Sequence, residues 1–359
     1  MLQFLLKRLW YGLLVLFGVV TLVFLLFKIL PGDPARMMLG QRADISSVEA
    51  IQRELGLDRP LHKQYLHYLN DLSPLSIHKH AAEQSLVYFS EDTYKARPIV
   101  KAGEYVMVIK QPYLRRSYQS DRDVTEILWS AFPNTLLLAS VSILFAMLAG
   151  VALGIMVSLF RSQSLARTTL VLSVLGMSLP SFFAAIIIAW VFAYLLGDIT
   201  GLQMTGSLWE VDDFGRGEYI ALKNMILPAF TLGIRPLAIV TELTRSSLSN
   251  VMAQDYIRTA RAKGLSELRV ITRHALRNAL NPVITAVSGW FASLMAGAVF
   301  VEYVFDWKGV GVVIVDALEY YDFPVLMGAV LVISVMLVLL NIFVDVIYAW
   351  LDPRVRLYA

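Results

Sequence analysis

The sequence contains no cysteine. Disulfides, thiolate metal sites, iron–sulfur clusters and a cysteine nucleophile are therefore excluded, although this absence names no compartment. Charge is scarce too. Asp, Glu, Lys and Arg make up 16% of the 359 residues, against about 25% in soluble domains. The net charge is only +3, and most basic residues flank apolar runs, which argues against nucleic acid as a partner. Histidine occurs five times, at positions 62, 67, 78, 80 and 274. No His-Glu-x-x-His is present, and the pair His78 and His80 reads as ordinary loop surface, so no metal site is expected. Nor is there a Gly-x-x-x-x-Gly-Lys-Ser/Thr stretch, so the chain should not hold ATP through a P-loop. Ser178 and Ser181 flank Pro180 in an apolar run, but no span interior has a histidine or lysine to activate them. A polar kink is the better reading.

What the chain has is apolar surface. Hydrophobic residues form 57% of it, and the mean hydropathy is +0.62. About 20 apolar residues cross the bilayer as a helix. Runs of that kind lie near Leu9–Leu30, Asn134–Phe160, Thr168–Leu196, Met225–Leu243, Val283–Val304 and Val325–Leu351. The first is too long for a signal peptide, and Pro31-Gly32-Asp33-Pro34 follows it instead of a cleavage site. The fourth is interrupted by Pro228, Arg235 and Pro236. The predicted fold is thus an all-α polytopic membrane protein with six transmembrane helices and a long external segment after the first. The predicted organisation is a span at 1–30, an external segment at 31–132, a five-helix core at 133–351 with a cytoplasmic loop at 245–282, and a cytoplasmic tail at 352–359.

Orientation follows from the basic residues. With the N-terminus inside, the short cytoplasmic segments hold 13: Lys7, Arg8, Arg161, Arg167, Arg245, Arg258, Arg261, Lys263, Arg269, Arg273, Arg277, Arg354 and Arg356. The two short external loops hold 3: Arg216, Lys223 and Lys308. Both termini are expected in the cytoplasm. In the external segment, Ser46 and Glu49 form a capping box for a helix ending at Gly56. A second helix is expected over Leu61–Leu72 and a strand over Tyr105–Ile109, after a turn at Lys101–Glu104. Residues 73–113 read as a small inserted β element. Gly150 and Gly154 form a small-xxx-small pattern for close helix packing.

The cytoplasmic loop is the most informative stretch. Gly264 can end a short helix over about Gln254–Lys263. Ser266 can cap the next one, while Asn281 and Pro282 suit the start of the fifth span. The residues alone leave two readings open: a turn shaped to receive another surface, or an amphipathic helix on anionic lipid.

The loop resembles that of ABC-importer permeases, and most closely the dipeptide/oligopeptide/nickel permease family. The resemblance rests on Tyr256-Ile257-Arg258-Thr259-Ala260-Arg261-Ala262-Lys263-Gly264-Leu265 and His274-Ala275-Leu276-Arg277-Asn278-Ala279 with Pro282. In the same order it takes in Pro31-Gly32-Asp33-Pro34-Ala35, Leu55-Gly56-Leu57-Asp58-Arg59-Pro60-Leu61, and Thr244-Arg245-Ser246-Ser247. Phe300-Val301-Glu302, Gly309-Val310-Gly311, Asp322-Phe323-Pro324 and Leu351-Asp352-Pro353-Arg354 complete a collinear set over nearly the whole chain.

The resemblance implies a permease subunit of an ATP-driven importer, in a bacterial inner membrane, forming half of a path for peptides or similar small solutes. It implies that Ala260, Lys263, Gly264 and Leu265, flanked by Arg258 and Arg261, dock on an ATPase. Glu302, Gly309, Gly311, Asp322 and Asp345 are then structural or gating candidates. The implied partners are a second permease, two ATPase subunits or domains that carry ATP and magnesium, an external solute-binding protein and the bilayer. This chain itself is expected to bind no cofactor and to be no enzyme. The chain departs from the family in four places. Arg258-Thr259-Ala260 stands where generic importers have Glu-Ala-Ala. The insertion replaces a Gly-Asp-x-Gly-x-Ser stretch. Trp307 is followed by Lys308 where proline is common, and Glu242 occupies a place usual for arginine. The rival class is an ATP-independent transporter or channel, against which the scarcity of ionisable groups in the spans argues in part.

Overall fold

The computed structural model describes residues 2–29, 48–49, 52, 56–79, 94, 96–160, 163–212, 215 and 217–351. The chain runs α1 (Leu2–Ile29), α2 (Leu61–Leu72), β1 (Leu75–Lys79), β2 (Arg97–Ala102), β3 (Tyr105–Ile109) and α3 (Val124–Phe160). It continues with α4 (Gln163–Ser178), α5 (Ser181–Ile188), β4 (Trp209–Val211), β5 (Glu218–Ile220) and α6 (Ile226–Met252). After α6 come α7 (Asp255–Ala262), α8 (Asn281–Phe305), α9 (Val310–Glu319) and α10 (Phe323–Leu351).

Among the described residues, four helices are long and apolar enough to cross a membrane: Leu6–Lys28, Val124–Phe160, Leu222–Met252 and Phe323–Val346. Two bent pairs bring the number to six if each counts as one span. One bends by 111° between Arg167–Ser178 and Ser181–Leu195, and the other by 55° between Asn281–Met295 and Ala298–Phe305. The sharp bend falls at Leu179 and Pro180. Proline disfavours the α conformation in the residue before it and lacks an N–H, so the ladder breaks there. The result is a break in the span, larger than the kink expected. Past Ile188 the helix continues with π geometry over Ala189–Leu195.

Three expected boundaries move. The second span starts at Val124, ten residues before Asn134, because Pro133 lies inside the helix and does not end it. The fourth runs on to Met252, with Pro236 inside it, so Arg235 sits in the helix interior. The fifth begins at Asn281 itself, with Leu280 at the cap position. The start of the capping box (Ser46), Pro31–Ala35 and the tail from Asp352 lie outside the described residues.

Two compact units form. The first comprises residues 1–9, 131–312 and 336–359, and the second residues 10–130 and 313–335. In the first unit α6 is central. Close approach to its neighbours needs glycine: a Cβ on Gly150 would lie 2.8 Å from Val240, and one on Gly154 would lie 2.6 Å from Thr244. These are the two glycines of the small-xxx-small pattern.

In the second unit, Leu61–Leu72 and Tyr105–Ile109 form as expected. The sheet order is β1-β3-β2, all antiparallel. The alternation in β3 turns Val106 and Val108 inward beside Ser76 and His78, while Tyr105, Met107 and Ile109 face out. Phe24, Tyr68 and Leu331 make a second core, and Thr21 shares a 2.6 Å hydrogen bond with Tyr65.

Candidate functional site

The turn after α7 is built from local rules. The Gly264 N–H donates to the Arg261 carbonyl at 2.9 Å, and the Leu265 N–H to the Ala260 carbonyl at 3.4 Å. This paired pattern, with a left-handed glycine, is a Schellman stop. Gly264 has φ +73°, and a Cβ built on it would meet nothing within 4 Å. Its glycine is thus required by backbone conformation and not by crowding within this chain. Ser266 occupies the cap position of Glu267–Arg269, with no side-chain capping bond. From Val270 to Ala275 the backbone takes π geometry, before a last turn over Leu276–Ala279.

The turn has its own core. Ile257 and Ala260 pack with Leu248, Val270, Ala275 and Ala279, and Leu265 leans against them. On the outside, the Nε and Nη2 groups of Arg261 donate to the two carboxylate oxygens of Glu267, at 2.7 and 3.2 Å. Arg258 lies 3.3 Å from Asp255, and Asn278 donates to the Tyr256 hydroxyl at 3.0 Å. Thus Arg258, Arg261, Lys263 and Gly264 are exposed together, with Leu265 half-buried and Ala260 turned inward. Leu268 is also exposed, by 74%. It adds an apolar side chain to this cationic rim. The sequence signal was a leucine inside a polar run, which periodicity alone does not separate from core.

A second constellation surrounds Glu302. Its side chain is fully buried, and its Oε2 accepts the Gly311 N–H at 2.6 Å. It therefore caps the N-terminus of α9, where unpaired N–H groups favour an anion. The Val310 N–H goes to the Thr135 hydroxyl at 2.8 Å. Trp307, also fully buried, donates its Nε1–H to the Asn134 carbonyl at 3.0 Å. A Cβ at Gly309 or Gly311 would come within 2.5 Å of Glu302 or of the Val299 backbone. The Glu and the two glycines therefore form one device, which also enlists Thr135.

Asp322 lies elsewhere, in the second unit. It precedes α10 and accepts from the Ser117 hydroxyl and, at 3.1 Å, from the Tyr118 N–H. Asp345 pairs with Arg8 at 3.0 Å. The five structural candidates thus sit in three separate places. Among the described residues no cluster of three or more His, Asp or Glu is arranged to hold a metal.

The comparisons with known proteins agree with this architecture. Residues 150–357 match the family described as binding-protein-dependent transport system inner membrane component. Residues 1–83 match the N-terminal family of the same membrane components. A glutathione transport system permease protein, GsiC, of Salmonella choleraesuis (strain SC-B67) is 34% identical over 356 residues, 99% of each chain. GsiC of Escherichia coli (strain K12) is 33% identical over the same length. A solved structure, an inward-facing MetNI methionine ABC transporter, is 16% identical, covers 64% of this chain and 97% of its own, and has a TM-score of 0.49. The chain belongs to the binding-protein-dependent transport family of inner-membrane components, as an ABC-importer permease subunit. It is a multi-pass inner-membrane protein, and membership implies a complex with ATPase and substrate-binding partners.

Proposed function

We propose that this chain forms half of a translocation path that carries peptides or similar small solutes inward by alternating access. A second homologous permease completes the path. Two cytoplasmic ATPase subunits or domains bind ATP with magnesium, and an external solute-binding protein delivers the solute. This chain binds no cofactor of its own. The Glu302 cap, Asp322 and Asp345 keep structural roles in this scheme, fixing helix ends as the spans move. The peptide class is supported by the relatives named for glutathione, a small peptide. Both termini lie in the cytoplasm, which the 13-to-3 distribution of basic residues supports.

The observation that carries the proposal is the turn at Gly264. It has a buried core of its own and an exposed rim of Arg258, Arg261 and Lys263. A turn braced in this way moves as one piece, so a displacement applied at its rim reaches α6 and α8. ATP can shift the permease only through a contact whose free energy differs between its two states. This rim is the surface suited to such a contact.

The test is reconstitution with the ATPases and binding protein, comparing wild type with Gly264→Val. A β-branched residue at φ +73° is strained by roughly 1–2 kcal/mol or more. The variant should reach the membrane at normal levels yet lose most ATP-driven uptake. Unchanged uptake in Gly264→Val would overturn the coupling role.

A further inference from the structure

The geometry points to a carboxylate subsite on Arg235, inside the membrane-spanning part of the first unit, and this inference rests on the importer reading above. A cavity of about 220 Å³ opens beside the Pro180 break. Its lining includes Leu179, Ser181, Ile187, Arg235, Trp290 and Ser293, and most of its wall is apolar. Arg235 stands nine residues into α6, roughly 14 Å along the helix axis.

The guanidinium is only partly satisfied. Its Nη2 donates to the Leu179 carbonyl at 2.8 Å, at the break where that carbonyl loses its helical partner. Its Nε is buried with no hydrogen-bond partner. Among the described residues, no carboxylate pairs with Arg235. Two other arginines on the long helices do have acids: Arg245 reaches Glu242 at 2.6 Å, and Arg8 reaches Asp345 at 3.0 Å. An arginine within a membrane span is costly unless it is paired or faces a polar path. The missing counter-ion at Arg235 therefore points to the solute.

The occupant is the single carboxylate end of a small solute with an apolar flank, of which a peptide C-terminus is the matching chemistry. A planar guanidinium suits a carboxylate, the serine hydroxyls add donors, and the apolar wall disfavours a second charge. The volume is below the roughly 300–1,000 Å³ of pockets that enclose a whole drug-sized ligand. The cavity therefore takes one end of a solute, not all of it.

The test uses the assembled permease–ATPase complex in nanodiscs, without the binding protein. The probes are radiolabelled alanyl-phenylalanine and its C-terminal amide. Loss of one charge-assisted contact predicts about tenfold weaker binding of the amide, and the same loss for the free acid in Arg235→Gln. Arg235→Lys should retain part of the acid's advantage. Equal binding of acid and amide by wild type overturns the subsite, whatever the variants do, and leaves Arg235 as a brace for the helix break. Absence of saturable acid binding, in a complex that imports peptide once the binding protein is added, also overturns it. A complex that imports no solute with binding protein and ATP present overturns instead the importer reading beneath it.

Discussion

Glu302 shows how a single residue sets the requirements for its neighbours. A buried carboxylate that caps α9 needs the Gly311 N–H at 2.6 Å, and only a residue without a side chain can come so near. A Cβ at Gly311 would lie 2.5 Å from the Val299 Cα, which is backbone and cannot swing aside. Gly311→Ala should therefore destabilise the folded protein by about 1–3 kcal/mol, as overpacking does. Gly289 is the control: it is helical and has nothing within 4 Å of its built Cβ. Gly289→Ala should be neutral or stabilise by up to about 1 kcal/mol, since glycine costs that much in a helix interior. Thermal melting of both variants in the same detergent checks the contrast, and equal shifts would count against the Glu302 device. The sequence showed glutamate and two glycines in order. It did not show that they touch, because the turn between them folds back through a left-handed Asp306.

Elements differ in how far their own residues decide them. The Gly264 stop, the helix Leu61–Leu72 and the strand Tyr105–Ile109 were legible because each depends on neighbours within a few residues. The break at Pro180 was legible only as a kink. Its size depends on what packs against it, including the Arg235 bond to Leu179. The short pair β4–β5 was not anticipated, since three-residue strands give too little alternation to read. Just after β3, Lys110 ends up buried, with its ammonium 4.1 Å from the centre of the Tyr94 ring and no hydrogen-bond partner. Burial pushes it down to about 8, against the opposing pull of Asp71.

The sign of the consequence follows from proton counting. An unfolded lysine keeps its proton to 10.5, so between about 8 and that value the unfolded state holds more protons. Stability of the element then rises with pH in that window, and below about 8 the full penalty applies. Tyr68 and Tyr94, raised by burial, work in the opposite direction only above 10, where unfolded phenols ionise. In the full-length protein, residues 56–79 and 96–113 should resist proteolysis better as pH rises from 8 towards 10. Lys110→Met should be more resistant at pH 8 and should lack the rise. An identical pH response in the two proteins would remove Lys110 as its source.

At the scale of the molecule, the lack of cysteine becomes an experimental asset. Single cysteines can be introduced at Gln119, in the segment expected to be external, and at Lys263, beside the exposed turn. A membrane-impermeant maleimide should label Gln119→Cys in intact spheroplasts, and Lys263→Cys only after permeabilisation. The reverse pattern would invert the topology and place the turn out of reach of any cytoplasmic ATPase.

By itself the sequence determined the class of the molecule, the number of apolar runs, the basic asymmetry and the glycine-stopped turn. These are properties of composition and of near neighbours, so they survive without knowledge of the fold. Only the tertiary structure decided that Ala260 turns inward while Leu268 faces out, that Glu302 closes on Gly311, and that Arg235 borders a cavity with no acid partner among the described residues. Each of those depends on how turns and helices pack on one another, and a linear pattern carries no record of that packing.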